Sequence, residues 1–131
     1  MNTKKEKITD CVLAVNALYD QMHGLDHEEV WIIFMNFDNT VITKEMISKG
    51  TLTHTAIDNR TIIRAALLHN AAKIILLHNH PSGDPMPSKA DIELTASIRF
   101  ACEYMNIYLV DHIIVTNDRF FSFNREKVKI N

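Results

Sequence analysis

The stretch from Ala71 to Asp91 constrains this chain more than any other. An apolar run, AAKIILL, ends on His78 and His80. A turn-rich loop with Pro81, Gly83, Pro85 and Pro87 follows, and Ser88 and Asp91 then open a helical pattern. A short continuous apolar run bounded in this way reads as a strand buried on both faces. Side chains at i and i+2 of a strand share a face, so the two imidazoles point the same way. A loop of this length can fold back and bring a carboxylate toward them. Two neutral imidazoles, one carboxylate and an open fourth position compose a catalytic zinc site. The spacing is H-x-H-x7-S-x2-D. Each residue also has an ordinary explanation. A histidine at a strand end is usually only a polar residue, Asp91 complements a helix dipole, and Ser88 caps a helix through a capping box. On the residues alone, both readings stand.

Periodicity places this segment among alternating elements. Ile8, Val12, Val15, Leu18 and Met22 recur at helical intervals, so residues 5–23 predict an amphipathic helix, with Thr9 or Asp10 as alternative starts and Gly24 as its end. The run VWIIFMNF at 30–37 predicts a buried strand, paired across the Asp38-Asn39 turn with a second strand at 40–48. Residues 59–70 predict a helix with Ile62, Ile63, Ala66 and Leu67 on one face. A strand at 73–77, a helix at 88–105 and a strand at 107–116 follow, the last paired through Asn117-Asp118 with a short strand at 119–123. The order αββαβαββ predicts an α/β fold, a mixed β-sheet flanked by helices.

Length and charge set limits. At 131 residues the chain is read as one domain, residues 1–131, with an N-terminal helix and connector at 1–26 and a metal-binding core at 27–131. Lys plus Arg is 14 and Asp plus Glu is 16, a net charge of −2, so no basic excess advertises nucleic acid. Cys11 and Cys102 fall in helical patterns and read as reduced core thiols, which suits a cytoplasmic protein. The start, MNTKKEKITD, lacks the apolar stretch of a signal peptide, and no run reaches membrane-spanning length.

Beyond the histidines, the sequence resembles the RadC-type branch of the JAMM (MPN+) metalloprotease superfamily. ISKGTL at 47–52, RAALLHNAAKIILLHNHPSGDP at 64–85, PSKADIELT at 87–95 and IYLVDHIIV at 107–115 carry the resemblance, which runs from about Glu28 to Phe123. It implies a sheet wrapped by helices, related in outline to cytidine deaminases. It implies one Zn²⁺ per chain on His78, His80 and Asp91 with a water in fourth place, a supporting Ser88, and an upstream Glu that binds the water. Two departures stand out. Asn59-Arg60-Thr61 replaces an expected Pro-Arg-Glu, and a chain this short is not expected to hold the helix-hairpin-helix region of longer members.

The general base is the remaining part. A carboxylate within hydrogen-bond reach of a metal-activated water takes its proton and hands it to a leaving amine. Glu28 and Glu29, at the mouth of the first strand, are the candidates. Register against the family favours Glu28, because EVWIIFMN matches the family's Glu, one variable position, then an apolar strand. Ser88 is read either as a hydrogen-bond donor to a developing oxyanion or as a helix cap, two uses of one hydroxyl. Asp111 and His112 read as a buried pair satisfied by hydrogen bonds rather than as a further ligand. Asn79 should face away from the histidines. His23, His27, His54 and His69 read as ordinary polar residues, and Met22, Met46 and Met105 as core filler.

The leading expectation is therefore a zinc-dependent hydrolase of the JAMM type, acting on a peptide or isopeptide-linked substrate. The alternatives are a DNA-repair accessory, which the family name suggests and the charge balance supports poorly, and a non-catalytic binding module, which would be expected to have lost ligands. The letters H-N-H also invite a nuclease reading, but those nucleases spread such residues over a ββα unit. No membrane partner is expected. An open edge strand in a small mixed sheet suits a homodimer.

Overall fold

The computed structural model describes residues 5–51 and 57–129. Its elements in chain order are α1 (Cys11–Ala17), α2 (Tyr19–Met22), β1 (Glu29–Met35), β2 (Val41–Lys49), α3 (Asn59–Leu68), β3 (Lys73–Asn79), α4 (Lys89–Tyr104), β4 (Tyr108–Val115) and β5 (Phe120–Ser122). The strands form one mixed sheet in the order β2-β1-β3-β4-β5. β3 and β4 are parallel, and every other pair is antiparallel. α4 is the crossover that two parallel neighbours require.

Strand alternation divides the core into two layers. Val30, Ile32, Phe34, Ile74 and Leu76 pack against Ile62, Ala66, Leu94, Ile98 and Cys102 of α3 and α4. Ile33, Met35, Ile75, Leu77 and Ile113 face the other way, onto Ile8, Ala14, Leu18 and Met22. The sheet is thus covered on both sides, as the apolar run before His78 predicts. This arrangement decides where the site lies. His78 continues the series Ile74, Leu76 and therefore emerges on the α4 side.

The N-terminus departs from the predicted helix over 5–23. It forms two short helices preceded by an extended segment. Asp10 caps α1 by accepting from Leu13 N at 2.9 Å. The residues before it bond to the β1–β2 hairpin instead, with Ile8 N on Asn39 O at 3.0 Å and Val41 N on Glu6 O at 2.9 Å. Asn39, at the hairpin tip with φ 71°, returns a side-chain bond to Ile8 O at 2.8 Å. A sheet edge offering unpaired backbone groups outcompetes a first helical turn whose N–H groups have no partner.

Other differences are smaller. β3 runs to Asn79, two residues past the predicted end, because β1 and β4 pair with it on both sides up to His78 and Asn79. In α3 the buried residues are Ile62 and Ala66, while Leu67 is exposed. In α4 they are Asp91, Leu94, Thr95, Ile98 and Cys102, whereas Ile92, Ala96 and Ala101 are half-buried. Met46 and Met105 are exposed, one on the edge strand β2 and one just past α4, so of these three methionines Met22 alone fills the core. Cys102 is buried and Cys11 half-buried, both as free thiols, and burial pushes the Cys102 thiol up to about 11. Among the described residues, no helix is long and apolar enough to cross a membrane.

Candidate metal centre

The two histidines leave the carboxyl end of β3, where ladder bonds hold the backbone. His78 pairs with Val30 on one side and Ile114 on the other. His80 continues the line, its N–H donating to Val115 O at 3.0 Å. The following loop is tied down at several points. Gly83 N bonds His80 O at 3.1 Å, and Arg119 Nη2 donates to Gly83 O at 2.6 Å. Gly83 sits at φ 90°, a conformation that a side chain would strain. The loop ends at α4, whose capping box is complete: Asp91 N donates to Ser88 Oγ at 3.0 Å and Ser88 N to Asp91 Oδ2 at 2.9 Å. That box fixes the Asp91 carboxylate, and the packing of α4 on β3 aims it at the histidines.

The donor atoms converge. His78 Nε2 and His80 Nε2 lie 3.0 Å apart. Asp91 Oδ1 is 3.6 Å from His78 Nε2, and Asp91 Oδ2 is 3.5 Å from His80 Nε2. A tetrahedral zinc with bonds near 2.0–2.1 Å spaces its ligands about 3.3 Å apart, so the two imidazole nitrogens and the Asp91 carboxylate, one oxygen facing each ring, stand close to that spacing. A carboxylate oxygen of Glu28 also lies within 4.8 Å of both histidine donors. Two carboxylates therefore share the histidine pair, Asp91 at 3.5–3.6 Å from the two Nε2 atoms and Glu28 within 4.8 Å of them.

Electrostatics favour the two histidines and Asp91 as metal donors. Burial pushes the Asp91 carboxyl up, but the hydrogen bond to His80, the Ser88 N–H and the charge of His78 together hold it well below the usual carboxylate range. Burial lowers His78 to about 4 against the pull of Asp91, so it is a neutral imidazole at neutral pH. His80, half-buried, is raised by its hydrogen bond to Asp91. A neutral buried imidazole beside a carboxylate held below its usual range is a ready ligand set for a divalent cation.

Glu28 and Glu29 part at the mouth of β1. Glu29 shares a face with Trp31 and is buried, with Oε2 2.7 Å from His27 Nε2 and Oε1 accepting from Trp31 Nε1 at 2.9 Å. Burial pushes its carboxyl up, yet those two hydrogen bonds bring it below its ordinary value. Glu28 takes the opposite side, toward the histidines. Asn79 faces away from the histidines, as alternation predicts. Its Oδ1 accepts from Glu29 N at 2.7 Å and its Nδ2 donates to His27 O at 2.8 Å. One amide thereby clamps the backbone on both sides of Glu28. No sequence signal marks this role beyond the position of Asn79 between two histidines.

The remaining residues fall into place around the centre. Ser88 Oγ serves as the cap, and its hydroxyl proton stays available to donate. Asp111 is buried and bound by Ser122 Oγ and Asn124 N. His112 lies behind His78, away from the convergence point, stacked on Phe123 at 4.6 Å. Thr95, on the buried face of α4, contacts His112. His69 caps α3 and reaches Glu45 at 3.0 Å, and His23 stacks on Tyr19 at 4.6 Å. His54 lies outside the described residues.

Comparison with known proteins gives a consistent result. The family described as the RadC-like JAB domain matches residues 8–128. The chain is 38% identical over 125 residues to the UPF0758 protein of Flavobacterium johnsoniae, covering 95% of this chain and 55% of that one. A UPF0758 protein of Actinobacillus pleuropneumoniae is also 38% identical over 125 residues, at 95% and 57% coverage. One from Porphyromonas gingivalis is 37% identical over 124 residues, at 94% and 55%. The chain thus spans about half the length of the curated relatives it matches.

Proposed function

Since this chain belongs to the RadC-like JAB domain family, we propose that it is a zinc-dependent hydrolase that cleaves an amide or isopeptide bond. One observation carries the reading. His78 Nε2, His80 Nε2 and the Asp91 carboxylate converge within 3.0–3.6 Å of one another, with the Glu28 carboxylate beside them. His78, His80 and Asp91 would hold one Zn²⁺. When bound, the ion supplies Lewis acidity and lowers the pKa of a coordinated water to about 7.

The chain's own residues do the rest. Glu28 accepts the proton of the attacking water and returns it to the leaving nitrogen, a transfer that works only from hydrogen-bond distance. The clamp from Asn79 keeps Glu28 at the mouth of the site, which is the orientation that transfer requires. Ser88 donates its free hydroxyl proton to the oxygen that gains negative charge, while its lone pair keeps the helix capped. Asp91, whose carboxyl is held well below the usual carboxylate range, would supply the anionic donor and offset part of the charge of the cation.

The test has two stages. Protein purified without chelator is assayed for metal by elemental analysis, alongside His78→Ala. A panel of isopeptide-linked and linear fluorogenic peptides then follows, with Glu28→Gln as the control. About one zinc per parent chain, its loss in His78→Ala, and turnover abolished in Glu28→Gln are expected. Zinc content unchanged in His78→Ala would end the assignment.

A further inference from the structure

His112 has no place in the reaction above, yet it is among the most deeply buried polar residues, and hydrogen bonds connect it to two of the three donor residues. Thr95 Oγ1 lies 2.6 Å from Asp91 O and 2.5 Å from His112 Nδ1. His112 Nε2 lies 2.7 Å from His78 Nδ1. We infer that Thr95 and His112 are positioning residues that lock His78 into the tautomer with its proton on Nδ1, leaving the Nε2 lone pair free for a metal.

The proton count leads there step by step. A backbone carbonyl only accepts, so the Thr95 hydroxyl proton must point at Asp91 O. The Thr95 oxygen then has only lone pairs to offer, so His112 Nδ1 carries a proton and donates it. Both ring nitrogens of His112 face neutral groups, a hydroxyl and an imidazole, and the ring is buried. It carries one proton, already assigned, so its Nε2 accepts. The proton between the rings belongs to His78 Nδ1, and His78 Nε2 is bare. His80 has an outer contact of its own, its Nδ1 donating to Asp84 O at 2.9 Å, so a proton between the two facing Nε2 atoms, 3.0 Å apart, sits on His80 and points at the bare His78 Nε2.

The chain of bonds closes on itself. It starts at the backbone of Asp91, passes through Thr95 and His112, and ends on His78, whose Nε2 faces the Asp91 carboxylate. A ligating histidine commonly donates its other ring proton to an outer partner, and losing that partner usually costs 10–100-fold in metal affinity. Here the usual carboxylate or carbonyl partner is replaced by a second imidazole, which accepts or donates according to its own tautomer. Thr95 decides between the two. Without the hydroxyl, His112 is free to protonate on Nε2 and donate to His78 Nδ1, which moves the His78 proton to Nε2 and blocks the ligand.

The inference rests on the metal reading for its purpose, but its first test does not. Long-range ¹⁵N–¹H correlation spectra of metal-free protein report which nitrogen of each histidine is protonated. The parent should show His78 and His112 both protonated on Nδ1. Thr95→Val, which keeps shape and burial, should shift both toward Nε2 protonation and lower zinc affinity by about 10–100-fold. Thr95→Ser should restore both readouts. Amide spectra verify that each variant is folded. A parent with His78 protonated on Nε2 overturns the inference, as does a folded Thr95→Val with unchanged tautomers and unchanged affinity. A parent that shows the assigned tautomers and binds no zinc supports the relay and overturns the metal reading instead.

Discussion

Glu28 and Glu29 are neighbours in the chain and work on opposite sides of it. Glu28 reaches within 4.8 Å of the His78 and His80 donor atoms, while Glu29 is held between His27 Nε2 at 2.7 Å and Trp31 Nε1 at 2.9 Å. Strand alternation already operates at the first residue of β1, and that separates their fates.

The first prediction follows from this pair. Glu28→Gln should keep its zinc and lose hydrolysis by roughly 10²–10⁴-fold, the usual worth of a general base. Glu29→Gln should keep most activity and instead lower thermal stability, because its buried carboxylate accepts two side-chain hydrogen bonds. Steady-state kinetics and melting curves on the two variants separate the roles. The reverse pattern would mean that the strand register at the site is wrong by one residue.

Asp91→Asn isolates the charge of the third donor. Asparagine can keep the capping contact to Ser88 N, so α4 should stay intact while zinc affinity falls strongly. Chelation of the parent should have a parallel effect. Its secondary structure should persist without metal, since the two core layers do not include the site. Its melting temperature should drop by mass action, equivalent to about 2.7 kcal/mol at free zinc 100 times the Kd. Competition with a chromophoric chelator and circular dichroism give both answers. Equal affinity in Asp91→Asn would remove Asp91 from the ligand set.

Ser88 holds two uses that substitutions can separate. Ser88→Ala should cost about 0.5–2 kcal/mol of stability through the lost cap, whereas Ser88→Gly should cost only a few tenths. Ser88→Thr keeps the hydroxyl. Activity should follow the hydroxyl, falling in both Ala and Gly variants and surviving in Thr. If the Gly variant turns over at the parental rate, the hydroxyl serves only the helix.

The pH dependence of Asp111 has a definite sign. Burial raises its carboxyl above the ordinary 3.8, against the bonds from Ser122 and Asn124. The folded state therefore holds this proton more tightly than the unfolded chain. The stabilisation is full below the unfolded value and is lost as pH rises through the folded one. Asp111→Asn lacks this titration, so its stability relative to the parent should improve as pH rises from about 4 toward neutrality and through the raised folded value. Urea midpoints of the two proteins across that range measure it. A constant difference would show that burial does not shift this carboxyl.

Much of the architecture was legible because its signals are local. The apolar run before His78, the Asp38-Asn39 turn and the Ser88 capping box each identify an element from a few adjacent residues, and the structure places strands and helices within a few residues of those readings. The N-terminal segment was misread because its competitor is distant: the hairpin edge that captures Ile8 belongs to residues 39–41. The same limit hid Thr95 and Asn79. Neither carries a spacing that points to a site, and each acts through hydrogen bonds to residues brought near by folding, Thr95 to His112 and Asn79 to His27 and Glu29.

The sequence by itself determined the periodicities, the shared face of His78 and His80, and the cap that puts Asp91 in the first turn of α4, because these follow from backbone geometry over a few residues. The tertiary structure decided which carboxylate stands at ligand spacing, which of two adjacent glutamates enters the site, and what lies behind His78. Those outcomes depend on distances between β1, β3, β4 and α4, which are set by how the two core layers pack and not by any residue's neighbours in the chain.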